Sequence, residues 1–200
     1  MGKFNYEGVK EATKQLLIAM GKDVDSPGLK ETPRRVAGYW QELLEGEEYT
    51  NAEIAEKFKK DFEVGYSNLV VKEVKNVFSH CEHHLALMFN GTVYVAYIPR
   101  KNDYNGTYNV IGLSKIDRIV NMCAKRLQLQ EKLAADIAEC ISLATGSDEV
   151  YVQVIMNHGC VSARGPKSQG LTDVTFLSDK LRDNKEARVE IETKIANLIK

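Results

Sequence analysis

Residues 70–98 read VVKEVKNVFSHCEHHLALMFNGTVYVAYI, and the fold is built around them. β-Branched and aromatic residues are concentrated at residues 70–78 and 92–98, which predicts two strands. Asn90-Gly91 is a tight-turn signal and predicts a hairpin between them. One thiol and three imidazoles lie in the segment SHCEHH at residues 79–84. We therefore expect a cluster of cysteine and histidine at the end of a strand, close to a hairpin turn.

This cluster has the spacing of a metal site. Cys81 and His84, in the pattern Cys-x-x-His, can bind one zinc ion, and Cys160 can supply a second thiolate from far along the chain. Three protein ligands leave the fourth tetrahedral position for water, as in catalytic zinc sites, whereas structural zinc is usually held by four ligands. His83 and His158 would then be free imidazoles beside that water, suited to proton transfer.

Two simpler interpretations stand beside the catalytic one. Buried cysteines and a hydrogen-bonded histidine are common in protein cores, and for any one of these residues the core role is the usual case. All four histidines of the chain lie within three residues of Cys81 or Cys160, however, and this favours a metal site. A closed structural zinc site with four protein ligands is the second alternative.

Composition excludes several other classes of protein. At 200 residues the chain suits one domain with a helical addition. A net charge of −1 offers no basic field for nucleic acid or for a membrane surface. The sequence has no apolar run of about 18 residues to span a membrane and no apolar signal core at its start. Four cysteines, two of them expected on zinc, do not suggest a disulfide scaffold, so we expect a reducing cytoplasm.

Helical patterns fill the first third of the chain. It opens with an amphipathic helix, and a second helix begins with Thr32 as its N-cap. A third, shorter helix is expected to follow with Asn51 as its cap. We therefore predict an N-terminal helical segment of residues 1–62, followed by a catalytic domain of residues 63–200.

Two long helices follow the hairpin. The first begins within residues 112–115, with Ser114 as N-cap, and the second ends at Gly146. Cys123 and Cys140 fall on the apolar stripes of these helices, so we assign both to the core.

The last part of the chain returns to strands. Alternating apolar residues predict a strand at residues 149–156. His158 and Cys160 continue the same parity, so on an extended chain they would face the same side. Another strand is expected at residues 171–176, and Asp183 is expected to cap a C-terminal helix. This order of elements is typical of an α+β fold, here an antiparallel sheet with two long helices on one face.

Several cations are placed where an anion could bind. Lys115 and Arg118 lie at the start of the first long helix, where free N–H groups suit phosphate. Arg34 and Arg35 lie in the first turn of an earlier helix, where cations are disfavoured. For both pairs an exposed, solvated position is the commoner explanation, and it would be preferred without further context.

Five motifs, in order along the chain, resemble GTP cyclohydrolase I. They are Cys81-Glu82-His83-His84, Val95-Ala96-Tyr97-Ile98-Pro99, Ile111-Gly112-Leu113-Ser114-Lys115-Ile116-x-Arg118, Arg126-Leu127-Gln128-x-Gln130-Glu131, and His158 followed six residues later by Arg164-Gly165. Residues 28–37 are also similar to the N-terminal helices of that family. The combination is highly specific, although each motif alone is not.

The resemblance implies the tunnelling fold. In that family the subunits close into a ring, and two five-membered rings stack into a decamer with active sites at subunit junctions. The resemblance also implies Zn²⁺ as cofactor and hydrolysis of GTP to 7,8-dihydroneopterin triphosphate and formate. This reaction would be the first step towards tetrahydrofolate, another pterin or a deazapurine.

Carried over by motif, the resemblance implies a role for individual residues. The zinc ligands would be Cys81, His84 and Cys160. His158 would act as general acid towards the purine, and His83 would assist later proton transfers. Glu131 would bind the guanine, with Gln130 beside it. The triphosphate would be bound by Lys115, Arg118, Arg164 and, from another subunit, Arg35, with Ser114 at the ribose or phosphate end.

Two other functions remain open. A zinc-stabilised tunnelling-fold protein that binds a purine or pterin without turnover would need neither His83 nor His158, so these two imidazoles favour the enzyme. A related enzyme that reduces a nitrile on 7-deazaguanine uses a cysteine nucleophile and no zinc triad. The Cys-x-His-His motif argues against that second alternative.

Overall fold

The structure, a computed structural model, describes residues 3–199. Its helices are α1 (Tyr6–Ala19), α2 (Thr32–Leu43), α3 (Asn51–Phe58), α4 (Leu113–Ala124), α5 (Gln130–Thr145), α6 (Gly159–Ser162), α7 (Asp179–Asp183) and α8 (Lys185–Leu198), with a 3₁₀ turn at Glu45–Glu48. Its strands are β1 (Asp61–Val64), β2 (Val70–Cys81), β3 (Ala86–Tyr97), β4 (Tyr108–Ile111), β5 (Leu127–Gln128), β6 (Val150–His158) and β7 (Thr172–Leu177). No helix within this described range has the length and apolar character needed to cross a membrane.

A five-stranded sheet in the order β5-β2-β3-β6-β7 forms the centre of the fold. Strands β2, β3, β6 and β7 pair antiparallel, and the short β5 adds to the edge of β2 in parallel. The strand predicted from alternation at residues 149–156 is present as β6. Its residues Val150, Val152, Val154 and Met156 are all buried in one core, because alternate side chains of a strand point to the same face.

The two faces of the sheet carry different helices. On β3, Val93, Val95 and Tyr97 pack into the core shared with α4 and α5, whereas Tyr94 and Ala96 pack into a second core with α7 and α8. The prediction of an α+β fold with an antiparallel sheet and two long helices on one face is confirmed. The C-terminal helix lies on the opposite face.

The N-terminal helical segment is joined to the sheet and its helices by packing and by one buried arginine. Helix α3 packs against α5. Arg126 donates hydrogen bonds to the backbone carbonyl oxygens of Gly46 and Tyr49 and to the side chains of Asn51 and Asp136. One guanidinium group therefore ties residues 46–51 of the N-terminal segment to residues 126–136, two parts of the chain that are distant in sequence.

The start of α3 differs from its prediction. Thr50 is the cap and forms a reciprocal capping box with Glu53. Asn51, the predicted cap, is the first residue of the helix, and its side chain bonds across to α5 instead. The predicted boundary after residue 62 falls inside β1, which pairs with β4.

Three other predicted caps are also displaced. Thr32 and Ser114 already lie within the first turns of their helices, and Asp183 is the last residue of α7. The residues that stand at the cap positions are Glu31 for α2, Gly112 for α4 and Asn184 for α8. Of these, Asn184 caps with its side chain, which accepts a hydrogen bond from the backbone of Ala187.

The β2–β3 hairpin turns at residues 82–85, and the prediction of a turn at Asn90-Gly91 was wrong. Those two residues lie inside β3, at a shift in its pairing with β6. Asn90 has the left-handed φ of 52°, and a Cβ on Gly91 would lie 2.3 Å from the carbonyl oxygen of Val77. The same residue types that build tight turns also build β-bulges, so the local pattern alone does not separate the two.

Candidate active site

The Cys-x-His-His motif forms the turn of the β2–β3 hairpin. Cys81 is the last residue of β2 and pairs with Ala86, the first residue of β3. His83 and His84 lie in the turn, both exposed, with ring centroids 6.3 Å apart. Leu85 completes the turn with a left-handed φ of 51°. The turn therefore places one buried thiol and two accessible imidazoles at the same end of the sheet, which we call the metal end.

Strand β6 and helix α6 bring the second cysteine to the metal end. His158, at the end of β6, pairs with Met88 of β3, and the chain then enters α6, which carries Cys160. Gly159 allows this close approach, since a Cβ there would lie 3.0 Å from the carbonyl oxygen of Leu87. Cys160 therefore lies on a helical turn, and the expectation that the strand continues through it was wrong.

Cys81, His84 and Cys160 form a compact donor group. Their ligand atoms, two Sγ and one ring nitrogen, all lie within 4.8 Å of one another. Two sulfur atoms bound to one tetrahedral zinc at about 2.3 Å would be roughly 3.8 Å apart, so the group fits a metal of this size. Within residues 3–199 it is the one group of histidine, cysteine and acidic side chains placed to hold a metal ion.

The electrostatics of the two thiols also agree with a bound cation. Burial raises the pKa of the Cys160 thiol, and the neighbouring Cys81 raises it further. The positive charge of Arg164 acts in the opposite direction on that pKa. The Cys160 thiol therefore resists ionising beside Cys81, and a divalent cation bound there would remove that resistance. Arg164 itself follows α6, at a bend in the chain.

His158 lies beside this donor group and is held by the start of α5. Its Nε2 is 2.7 Å from Oε1 of Gln130. Burial lowers the pKa of His158, and the negative charge of Glu131 acts against this. The start of α5 is anchored by β5, where Gln128 pairs with Cys81. One short parallel strand thus joins the N-terminus of α5 to the metal motif.

The fourth histidine of the cluster has a separate environment. His80 is buried, its Nε2 is 2.6 Å from Oη of Tyr39, and its ring packs edge-on against Tyr39 and Trp40 of α2. This contact between α2 and β2 was not predicted from the sequence. The sequence did indicate that His80 lies apart from the metal donors, because consecutive residues of a strand, here His80 and Cys81, must face opposite sides of the sheet.

Three predicted substrate-binding residues, Ser114, Lys115 and Arg118, lie in the first half of α4. This helix begins beside Tyr97, whose hydroxyl accepts a hydrogen bond from the Ile111 backbone at 3.1 Å. Tyr97 pairs with Val70, the first residue of β2, whereas Cys81 is the last. At about 3.3 Å per residue, the 12 residues of β2 separate its two ends by roughly 35 Å. One chain alone therefore does not bring the start of α4 to the metal.

Arg35 lies nearer to the metal end. It is exposed on α2, one helical turn before Tyr39 and on the same side of the helix. Its neighbour Arg34 forms an ion pair with Glu31 at 2.9 Å, whereas Arg35 has no ion pair in the described part of the chain. Its guanidinium is therefore available to an anion on this side of the molecule.

The arrangement matches a known family along nearly its whole length. The model of the family described as GTP cyclohydrolase I matches residues 9–196. The chain belongs to the GTP cyclohydrolase I family. The match includes the N-terminal helices, the sheet and every residue of the candidate site, so the fold is the tunnelling fold implied by the resemblance.

Two relatives in sequence agree with this assignment to the GTP cyclohydrolase I family. The GTP cyclohydrolase 1 of Clostridium acetobutylicum is 44% identical over 184 residues, covering 89% of this chain and 91% of that protein. The GTP cyclohydrolase 1 of Clostridium beijerinckii is 40% identical over 195 residues, covering 94% and 95%. A solved structure of the archaeosine synthase QueF-Like in the apo form is 22% identical, with a TM-score of 0.43, and covers 56% of this chain and 95% of its own.

Proposed function

We propose that this protein is a zinc-dependent GTP cyclohydrolase I, which hydrolyses GTP to 7,8-dihydroneopterin triphosphate and formate. The observation that carries the proposal is the donor group of Cys81, His84 and Cys160, with His158 beside it, in a chain of this family. A protein that only bound a purine or pterin would have no use for the two imidazoles. We also propose that the reaction takes place in the cytoplasm and supplies the synthesis of tetrahydrofolate, another pterin or a deazapurine.

Zinc is the proposed metal, because thiolate and imidazole ligands favour it over magnesium or manganese. Zinc held there supplies a Lewis acid that makes water nucleophilic near neutral pH. Metal content, measured by mass spectrometry of the purified protein, should fall in Cys81→Ser and Cys160→Ser. His83→Ala is the matched control, since His83 adjoins His84 but lies outside the donor group. A full complement of metal in Cys160→Ser would contradict the ligand assignment.

His158 is the proposed general acid. Opening the five-membered ring of guanine requires a proton on a ring nitrogen as the attacked carbon becomes tetrahedral. An imidazole exchanges protons near neutral pH and suits this task. His83, exposed in the hairpin turn, is proposed to assist proton transfers at the opened ring and the ribose. Formate release by His158→Ala should be slower by about 10²–10⁴-fold, the usual contribution of a positioned acid or base.

Glu131 is the proposed reader of the guanine base. It lies exposed in the first turn of α5, close enough to His158 for its charge to act on that imidazole. A carboxylate can accept two N–H hydrogen bonds from the guanine edge, and adenine lacks that pair of donors. Glu131→Ala should raise KM for GTP and reduce the preference for GTP over ATP. Glu139→Ala, two turns further along the same helix, is the control, and equal nucleotide preference in both variants would count against the assignment.

The triphosphate is proposed to bind a set of cations that come from two subunits, namely Lys115, Arg118, Arg164 and Arg35, with Ser114 at the ribose or phosphate end. Within one chain the start of α4 lies beside the opposite end of β2 from the metal end. The free N–H groups at the start of α4 also suit phosphate. We therefore propose that GTP binds where α4 of one subunit meets the metal end of another, in a decamer of two stacked five-membered rings.

Co-expression of two inactive variants tests this shared site. Lys115→Ala and His158→Ala remove groups from opposite ends of β2, so mixed oligomers would contain some junctions with both groups intact. We expect partial GTP cyclohydrolase activity in the mixture. The control pair, Glu131→Ala with His158→Ala, removes two groups from the same end and should stay inactive. Equal activity of the two mixtures would argue against a site shared between subunits, and sedimentation velocity gives the size of the oligomer.

The reaction itself is tested with anaerobically purified protein and GTP, with and without a chelator. We expect a pterin chromophore and formate to appear together, and chelation to stop both until zinc is restored. If GTP binds but neither product forms with zinc present, the protein is a zinc-stabilised binder and the enzyme assignment fails.

A further inference from the structure

Gln130, expected beside the guanine base, is almost completely buried instead, at 2% exposed. It is the first residue of α5. Its Nε2 donates to the backbone carbonyl oxygens of Val154, at 2.7 Å, and Thr172, at 3.0 Å. Its Oε1 lies 2.7 Å from Nε2 of His158. The amide therefore connects the start of α5 to β6, to the start of β7 and to the proposed general acid.

These contacts determine which way the amide group lies. A carbonyl oxygen only accepts hydrogen bonds, so Val154 and Thr172 require the NH₂ group of Gln130 on their side. The oxygen of the amide then faces the imidazole. Because that oxygen also only accepts, Nε2 of His158 must carry a proton. In the neutral ring, Nδ1 is then the unprotonated nitrogen, and it has no hydrogen-bond partner between residues 3 and 199.

We propose that Gln130 is a positioning residue that keeps His158 in its Nε2-protonated form and leaves Nδ1 for the substrate. This inference rests on the proposed role of His158 in the cyclohydrolase reaction. The amide oxygen accepts from Nε2 whether the ring is neutral or cationic, so one contact orients the ring before and after a proton moves at Nδ1. Both hydrogens of the amide are already used by backbone carbonyls, which leaves Gln130 no donor for the base.

Steady-state kinetics distinguish a residue that positions His158 from a residue that binds the guanine base. Gln130→Leu should lower kcat by about 10–100-fold, the cost typical of removing a partner that orients a metal-bound histidine, and leave KM for GTP nearly unchanged. A rise in KM alone in Gln130→Leu is the result expected for a residue that reads guanine, and it would overturn the inference.

A matched control exists two residues away. Gln128 is also a fully buried amide and also donates two hydrogen bonds, to Ser79 Oγ at 3.0 Å and to the Cys123 carbonyl oxygen at 2.8 Å, but it does not contact His158. Gln128→Leu therefore measures the effect of losing a buried amide in this region. An equal fall of kcat in Gln128→Leu and Gln130→Leu would mean that both act through general destabilisation, and the positioning role would be lost.

A spectroscopic test needs no turnover. Solid-state NMR of the zinc-loaded protein with ¹⁵N-labelled histidine, recorded near pH 8 where free imidazoles are neutral, reports the protonated nitrogen of each ring. His158→Ala assigns the signals. We expect His158 protonated at Nε2 in the wild type and in Gln128→Leu, and a mixture of tautomers in Gln130→Leu. Protonation at Nδ1 in the wild type would overturn the inference even if formate is produced, whereas absence of formate alone would overturn only the proposed function.

Discussion

Replacing Arg126 by methionine tests how the N-terminal helices are held to the sheet and its helices. The arginine is only 5% exposed. Its Nε donates to the Gly46 carbonyl oxygen at 3.0 Å, its Nη2 to that of Tyr49 at 2.8 Å, and its Nη1 to Asn51 at 2.7 Å and to Asp136 at 2.6 Å. Methionine keeps most of the aliphatic volume of the side chain and none of its donors.

The expected loss of stability follows from what the substitution leaves behind. Gly46 and Tyr49 keep buried carbonyl oxygens without this donor, and Asp136 keeps only Lys132 and Asn51. Removing one partner of a buried ion pair costs about 3–5 kcal/mol. In a protein of this size each kcal/mol lowers Tm by about 2–4 °C, so Arg126→Met should unfold about 6–20 °C below the wild type.

The adjacent residue supplies the control. Lys125 pairs with Glu45 at 2.5 Å, but the two side chains are 30% and 39% exposed. Such pairs contribute about 0–1 kcal/mol, so Lys125→Met should have little effect. Thermal and urea unfolding, followed by circular dichroism, measure the stability of both variants. All samples should have the same protein concentration, because assembly makes stability depend on concentration. Equal midpoints for Arg126→Met and Lys125→Met would refute the reasoning.

The hydrogen bonds around Asp136 also make the stability of the folded protein depend on pH, and the direction of that dependence can be predicted. Burial alone would raise the pKa of Asp136, but hydrogen bonds from Lys132 and Asn51, and the charges of Lys132 and Arg126, hold that pKa below its usual range. A carboxyl with a lowered folded pKa stabilises the protein above its unfolded pKa of about 3.9, and the stabilisation is lost as pH falls through the folded value. As the pH falls from neutral to acid, Arg126→Met should therefore lose less stability than the wild type does.

Four further predictions concern other parts of the fold. Gly46→Ala should destabilise by about 1–3 kcal/mol in urea unfolding, because its Cβ would lie 2.2 Å from a carbonyl oxygen of α4. Gly38→Ala, with no atom within 4 Å of its Cβ, should instead stabilise α2 by about 0.5–1 kcal/mol. The pKa of Tyr94 is raised to about 12 by burial and by its hydrogen bond to a carboxylate. Its contribution to stability is therefore present below about pH 10 and lost as pH rises through the folded value, so Tyr94→Phe should flatten the alkaline loss of stability. After chelation, a thiol reagent should modify the partly exposed Cys160 before the fully buried Cys123, and equal rates in folded protein would contradict the structure.

The sequence alone determined the chemistry of the metal end and most of the secondary structure. Cys81 and His84 are close in the chain, and all three donor residues were identified by type and spacing before their geometry was known. Strand β6 and the two long helices followed from apolar periodicity, which reports local burial. The Cys-x-x-His pair, the strand and the helices were predictable because each depends on residues a few positions apart, whereas Cys160 was recognised by its residue type and by the histidine two residues before it.

Only the tertiary structure decided how distant segments meet. The role of Gln130 depends on carbonyl groups at Val154 and Thr172, which are 24 and 42 residues away in the chain. The start of α4 and Cys81 lie at opposite ends of β2, and this placement follows from the pairing of β2 with β3. Both result from strand pairing and packing between residues far apart in sequence, which no local pattern of amino acids encodes.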